Sequence, residues 1–301
     1  MRRILITGGS GLLGVNWALA RAGIDEVVLG LNKRSINLSP ATTVDIALDN
    51  KELLARQLDE IKPDFVVHAA AITSVEACEN NPEAAYAINA GYAGLMAGLC
   101  SEANIGFVQI STDHLFDGRQ PLLDEQASTC PLNAYGRSKA SAENLVLEAH
   151  PSALIVRVNF FCWGPQYRSS FSDWIVNALQ NGSPVTLYDN VFFTPLYAGQ
   201  IIDICHQLVD GGATGIYHLS SSDRISKFDF GMRLARVFDL DLSLIARGTY
   251  SDDEVARPLD MSLDNRKVRD RLNIVSLPID ASIAMLKEQE YIKLLLSEID
   301  R

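Results

Sequence analysis

The sequence predicts an α/β protein: a doubly wound parallel sheet with helices on both faces and a smaller C-terminal lobe. Three observations carry this. Short apolar runs alternate with helix-period stretches from residue 3 to residue 157, the signature of a parallel sheet covered on both sides. A G-x-x-G-x-x-G turn stands directly between the first apolar run and the first helix. After Arg157 the alternation loosens. The expected division is 1–157 for the sheet domain and 158–301 mainly for the lobe, with segments around 184–220 returning to the main sheet.

Each element has its own warrant. Arg3 to Thr7 is a short apolar run suited to a buried parallel strand. The turn Gly8-Gly-Ser-Gly11-Leu-Leu-Gly14 follows, then a helix through Ala22. Gly8 allows the tight turn, Gly11 lets a pyrophosphate reach the backbone, and Gly14 lets the helix pack closely. The free N–H groups at the helix start favour an anion, which makes this a Rossmann-type dinucleotide site formed by Gly8, Ser10, Gly11, Leu12 and Leu13. Glu26 to Gly30 is the second strand. It runs out at Asn32, Lys33 and Arg34, two cations with no carboxylate, which favours the 2′-phosphate of NADPH, with NADH as the alternative. Thr43 to Ile46 is a third strand, and its Asp45 is expected beside an adenine. A helix over 50–61 stops before Pro63.

Residues 64–71 read as the fourth strand, ending in Ala69, Ala70 and Ala71, small enough for a cofactor to lie against the backbone. His68 reads as a satisfied strand-end histidine in preference to a catalytic one. Pro82 to Ala103 reads as one long helix containing Asn89, either a residue that binds backbone or water behind a site or a plain packing position. Gly106 to Ser111 delivers Ser111, Thr112 and Asp113 to the carboxyl end of the sheet, where ligands of such folds bind. A helix carrying Tyr135 runs to about Ala149, and 153–157 is the sixth strand. Beyond it come an aromatic loop over 159–165, helices over 170–180, 198–209 and 226–238, and strands over 184–188 and 215–219. Segments over 242–245, 265–272 and 279 to the end complete the chain.

Composition narrows the function classes. The 301 residues are 48% hydrophobic and 21% charged, ordinary for a globular enzyme. The net charge of −11 is spread along the chain, which argues against nucleic acid or an anionic membrane as the main partner. Five scattered cysteines with no C-x-x-C pair suggest neither a disulfide framework nor a metal site. With no signal-peptide pattern and no apolar run of transmembrane length, a reducing, cytoplasmic setting is expected.

Tyr135 and Lys139 stand four residues apart, on one face of a helix. A phenol with its usual pKa near ~10 is a poor acid unless tuned, and a neighbouring ammonium is expected to lower that value. The pair is a proton donor and acceptor suited to a hydride carrier.

Thr7-Gly-Gly-Ser-Gly-Leu-Leu-Gly14, Ala69-Ala-Ala71, Ser111-Thr-Asp113, Tyr135-x-x-x-Lys139 and Arg257-Pro258 occur in this order along nearly the whole chain. In this combination the sequence resembles the extended short-chain dehydrogenase/reductases. Within them it resembles the dTDP-4-dehydrorhamnose reductase family, most narrowly in Ile110-Ser-Thr-Asp-His-Leu-Phe-Asp-Gly118. The resemblance implies that Tyr135 is the general acid, that Lys139 lowers its pKa and binds the nicotinamide ribose, and that Thr112 supplies a third catalytic hydroxyl. It implies that Asp45 and Ile46 flank the adenine, that Ala69 to Ala71 and Ser111 line the middle of the cofactor, and that Thr112, Asp113, Phe160 and Arg257 face the sugar. The implied reaction is hydride transfer from NAD(P)H to C4 of a nucleotide-linked 4-keto-6-deoxy sugar. The partner expected is that nucleotide sugar, and a homodimer is compatible with the chain.

There are departures. The family usually has Tyr at the position of His114 and Trp at that of Phe160, and its Gly-x-Pro-Thr loop is replaced by Phe193-Thr-Pro-Leu196. These cluster where substrate is chosen. Two other readings follow from the same features: a reductase or epimerase of another nucleotide sugar, or a non-catalytic dinucleotide-binding subunit like that of methionine adenosyltransferase.

Overall fold

A computed structural model describes residues 1–251 and 255–299, so the last two residues of the expected terminal segment lie outside the described residues. Seven parallel strands form the central sheet. Six are β1 (Arg3–Thr7), β2 (Glu26–Leu31), β3 (Thr42–Asp45), β4 (Phe65–His68), β5 (Gly106–Thr112) and β6 (Leu154–Val158). The seventh, Gly215–Leu219, pairs with β6, and the order is 215–219, β6, β5, β4, β1, β2, β3. The chain reverses direction across the sheet between β1 and β4, and this switch point opens a crevice at the strands' carboxyl ends.

Residue alternation along the strands sorts the core into two layers. Leu5, Val28, Val66, Phe107 and Ile155 face one side, against α2 (Lys51–Ile61), α5 (Tyr92–Glu102) and α6 (Ala134–Ala149). Ile4, Ile6, Leu29, Val67, Ile110 and Val156 face the other, with α1 (Leu12–Arg21), the helix Ala198–Asp210 and the aromatic residues of the C-terminal half. Phe161, Phe171, Phe193 and Phe230 form an aromatic cluster in that half, with ring centroids 5.2–6.5 Å apart in the contacting pairs. Val185–Tyr188 does not return to the main sheet; it pairs in parallel with Ile245–Gly248.

Two segments differ from the sequence expectation. The fourth strand ends at His68, directly before the three alanines and three residues short of the expected end at Ala71. The long helix expected over 82–103 is broken into α4 (Pro82–Tyr86), a π segment Ala87–Gly91 and α5, preceded by α3 (Val75–Asn80). Asn89 explains the break. Its amide takes both the N–H (2.7 Å) and the C=O (3.0 Å) of Ile72 and also reaches Ser138 (2.9 Å), a demand that a regular helix register does not meet.

The segment before α6 is anchored by Asn133, whose side chain caps Gly136 N–H at 2.9 Å. Further along, Glu143 makes a two-pronged ion pair with Arg157 on β6 at 2.7 and 2.9 Å, both side chains almost wholly buried. Arg157 also lies over the Phe116 ring. Removing one partner of such a pair strands a charge in the core. Glu143→Gln is therefore expected to lower the unfolding free energy by ~3–5 kcal/mol in urea denaturation. A loss below ~1 kcal/mol would show that the pair is not held dry.

Candidate active site

A cleft of about 1110 Å³ runs along the carboxyl ends of the strands. At one end is the glycine turn. Gly8 has φ +69°, and a Cβ there would sit 2.9 Å from the backbone of Ala69 and Ala70, so only glycine allows the strand ends to come this close. Thr7 ties the same two strands, its hydroxyl 2.9 Å from His68 Nδ1 and 3.3 Å from Ala70 N. His68 is fully buried, and burial holds it neutral, down to about 3. It braces the strands and does not line the cleft. α1 begins at Gly11 with no side-chain cap and no acidic residue in its first turn, leaving an electropositive helix end at the turn.

The structure brings together in this cleft Gly8, Ser10, Gly11, Leu12, Leu13, Asn32, Lys33, Arg34, Ile46, Ala69, Ala70, Ala71, Ser111, Thr112, Asp113, Tyr135, Lys139 and Phe160. Two expected residues are elsewhere. Asp45 is exposed at the end of β3 and outside the cleft wall; Gln57 holds its backbone carbonyl, and Asp49 takes the place on the wall. Arg257 is ion-paired with Glu76 and is likewise not part of the wall.

At the inner end, Lys139 is 4% exposed and donates to the Ile110 carbonyl at 2.7 Å. Burial lowers its pKa to about 8, and the nearby Glu143 carboxylate pulls the other way. Tyr135 corrects the expectation of a lowered phenol. Burial raises it to about 12, only partly offset by Thr112, and the Asp113 carboxylate adds to the rise. Desolvation is the largest effect, and the Lys139 ammonium is turned to the Ile110 carbonyl. The result is a phenol that keeps its proton throughout the neutral range. Behind it, Asn89 donates to Ser138, and Ser138 donates to the Tyr135 carbonyl at 2.8 Å, fixing the first turn of α6.

Asp113 is buried and holds three partners of different kinds. Asn159 donates to it at 2.5 Å, Thr112 at 3.2 Å, and the Lys227 ammonium faces it from the C-terminal half. The sequence reading missed Asn159 and Lys227. Asn159 stands directly after β6, a position its place at a strand end could have flagged. Lys227 carried no local signal: it opens the helix Lys227–Val237 and lies 3.5 and 4.7 Å from the ring centres of Phe193 and Phe171. His114 stands edge-on to Tyr135 at 5.6 Å, and Ser111 Oγ and His114 Nδ1 are buried polar atoms without a protein partner. Among the described residues no group of His, Cys, Asp and Glu could hold a metal ion.

The residues fit a dinucleotide. The glycine turn and helix end suit a pyrophosphate, the three alanines leave room for a flat body, and Lys33 with Arg34 supplies positive charge where β2 ends. A phenol, a hydroxyl and a buried ammonium lie at the far end of the same cleft. That division of one crevice between a backbone cradle and a Tyr–Lys–Thr cluster places the chain among the extended short-chain dehydrogenase/reductases. More narrowly, it belongs to the RmlD substrate binding domain family, whose profile matches residues 1–290.

Among its relatives, the probable low-salt glycan biosynthesis reductase of Haloferax volcanii is 32% identical over 291 residues, spanning 94% of this chain and 96% of its own length. The dTDP-4-dehydrorhamnose reductase of Mycolicibacterium smegmatis is 31% identical, over 76% of this chain and 67% of its own. Methionine adenosyltransferase 2 subunit beta of Rattus norvegicus is 26% identical, over 89% and 81%. The crystal structure of a hypothetical dTDP-4-dehydrorhamnose reductase from Sulfolobus tokodaii superposes with a TM-score of 0.79 at 28% identity, over 89% of this chain and 94% of that one.

The buried ammonium has a measurable cost. Lys139 titrates near 8 in the fold against 10.5 when free, so between these values the unfolded chain binds the proton that the folded chain has lost, and stability from this group rises with pH. Below pH 8 the full penalty applies. Lys139→Met is expected to be more stable than the parent at pH 7 by ~1–3 kcal/mol, net of the lost bond to Ile110, with the advantage shrinking by pH 10. Equal differences at both pH values in urea unfolding would show that the charge is not what costs.

Proposed function

We propose that this chain reduces the C4 ketone of a nucleotide-activated 4-keto-6-deoxy sugar, with NADPH as hydride donor and NADH as the weaker alternative. The observation that carries the reading is the convergence of Tyr135, Thr112 and buried Lys139 at one end of a cleft whose other end is the glycine turn with Lys33 and Arg34. The names of the relatives support it: glycan biosynthesis reductase and dTDP-4-dehydrorhamnose reductase. When bound, the dinucleotide supplies the hydride.

The chain's own residues do the rest. Thr112 and Tyr135 hold the ketone oxygen between a hydroxyl and a phenol. As C4 accepts the hydride, its C=O bond becomes C–O, and the phenol proton moves to that oxygen, leaving alcohol and phenolate. An alkoxide is a far stronger base than a phenolate, so a phenol raised to about 12 still gives up its proton at this moment and at no earlier one. Lys139, charged below about pH 8, then stabilises the phenolate. Asp113, held by Asn159 and Lys227, faces the sugar, and Phe160 forms an apolar wall. Arg257 is assigned no direct contact, because Glu76 holds it outside the cleft wall. The setting proposed is cytoplasmic, in keeping with five free thiols, four of them buried.

The regulatory-subunit reading is favoured by the likeness to methionine adenosyltransferase 2 subunit beta. Turnover separates the two. Purified protein is expected to oxidise NADPH when given dTDP-4-keto-6-deoxy-L-lyxo-hexulose, and binding of NADPH without turnover on any such sugar nucleotide would sink the reductase reading.

Two variants probe the roles. Tyr135→Phe is expected to lose ~10²–10⁴-fold in kcat while binding NADPH as before; unchanged turnover would refute the assigned acid. Lys33→Ala combined with Arg34→Ala is expected to weaken NADPH by ~10-fold or more and to spare NADH, measured as Kd for each. Equal losses for the two dinucleotides would end the 2′-phosphate assignment.

A further inference from the structure

Residues 164–169 cross the dinucleotide end of the cleft, and nothing assigned so far uses them. The Tyr167 hydroxyl donates to the Ser10 carbonyl in the glycine turn at 2.9 Å. Its ring lies against the Arg34 guanidinium, whose central carbon is 4.1 Å from the ring centre. The next residue, Arg168, donates to the Thr73 hydroxyl at 2.8 Å on the opposite wall. Ser10, Arg34, Thr73, Tyr167 and Arg168 all line the cleft. The crossing is tight: a Cβ at Gly164 would meet the Arg168 carbonyl at 2.3 Å and the Leu12 side chain at 2.8 Å.

The consequence falls on Arg34. Its neighbour Lys33 and Arg34 itself are exposed at the end of β2, and ordering a long side chain on a phosphate costs rotamer entropy. An aromatic face removes part of that loss in advance, because the guanidinium stacks by its face while phosphate is recognised through its edge. The bond from Tyr167 to Ser10 adds a further tie between the stacked ring and the glycine turn.

We propose that Tyr167 is a specificity-determining positioning residue: it holds the Arg34 guanidinium over the cleft for the ribose 2′-phosphate and so sets the preference for NADPH over NADH. This rests on the dinucleotide reading of the cleft given above. It assigns the discrimination to a residue far in sequence from β2, supplied by the loop that follows β6.

The test is binding of each dinucleotide to the full chain, read by fluorescence titration and independent of turnover. Tyr167→Leu is expected to weaken NADPH ~3–10-fold and to change NADH less than twofold. Tyr167→Phe keeps the stacking face and is expected to keep most of the discrimination, which also guards against a misfolded leucine variant. In an Arg34→Ala background, Tyr167→Leu is expected to cost NADPH nothing further, since the two residues act as one unit. Equal weakening of NADPH and NADH by Tyr167→Leu, or additive losses in the double variant, would overturn the role given to Tyr167 and leave the cofactor reading intact. A parent protein that binds neither dinucleotide would overturn the cofactor reading itself.

Discussion

An ammonium kept almost free of water, bonded to one main-chain carbonyl, sets the geometry of the catalytic end. Lys139 on α6 donates to Ile110 on β5 at 2.7 Å, and the surrounding contacts hold that helix to that strand. Gly136 allows the approach, since a Cβ there would lie 2.4 Å from the His114 carbonyl. Asn133 caps the helix, the Asn89–Ser138 chain fixes its first turn, and Glu143 locks its middle to Arg157 on β6. Each of these acts on α6 from a different direction. Together they fix Tyr135 beside Thr112, with which its side chain interacts. Burying a cation is costly even with a carbonyl bond and a nearby carboxylate, and a fold tolerates it where the group has work to do.

The opposite end of the cleft is built from backbone. Gly8 against Ala69 and Ala70, and the uncapped start of α1, need no particular side chain beyond the absence of one. What they need is a switch in strand order that parts the loops after β1 and β4, and the sheet order provides it. The C-terminal half then lays its own residues over both ends: Tyr167 and Arg168 over the phosphate end, Asn159 and Lys227 over Asp113. The cleft is thus closed by segments remote in sequence from those that open it.

This difference in construction explains what could be read from the sequence. A glycine turn between a strand and a helix, three small residues after a strand, and a tyrosine and lysine at helical spacing leave local marks, so the parallel sheet, the glycine turn in the cleft and the placing of Tyr135 and Lys139 on one helix were all legible. The broken helix at Asn89 was not, because its cause is a contact with Ile72 made only in the folded chain. The sign of the Tyr135 shift was missed for a related reason: spacing reports the neighbouring charge, whereas burial, the larger effect, is a property of the packed structure. Asp45 shows a subtler limit. Its strand suggests its place, yet a strand end offers two faces: Gln57 holds its backbone carbonyl, and Asp45 is exposed outside the cleft wall.

The same reasoning separates reaction from substrate. In the proposed reaction, proton transfer is assigned to Tyr135, Lys139 and Thr112, which sit on two adjacent elements of the sheet domain, α6 and β5. Sugar recognition is assigned, on the same proposal, to Asp113 as Asn159 and Lys227 present it, to His114 beside the phenol and to Phe160, which come from separate segments and from the helix Lys227–Val237. A buried carboxylate compensated by an amide at 2.5 Å and by a cation lodged between two phenylalanines is stiff toward displacement but open to change in any one partner. Replacing Tyr by His at 114 or Trp by Phe at 160 alters the shape and polarity of that end while leaving the α6–β5 geometry untouched. The residues proposed for proton transfer and those proposed for sugar recognition are therefore held by separate contacts, so a change in the second group need not disturb the first.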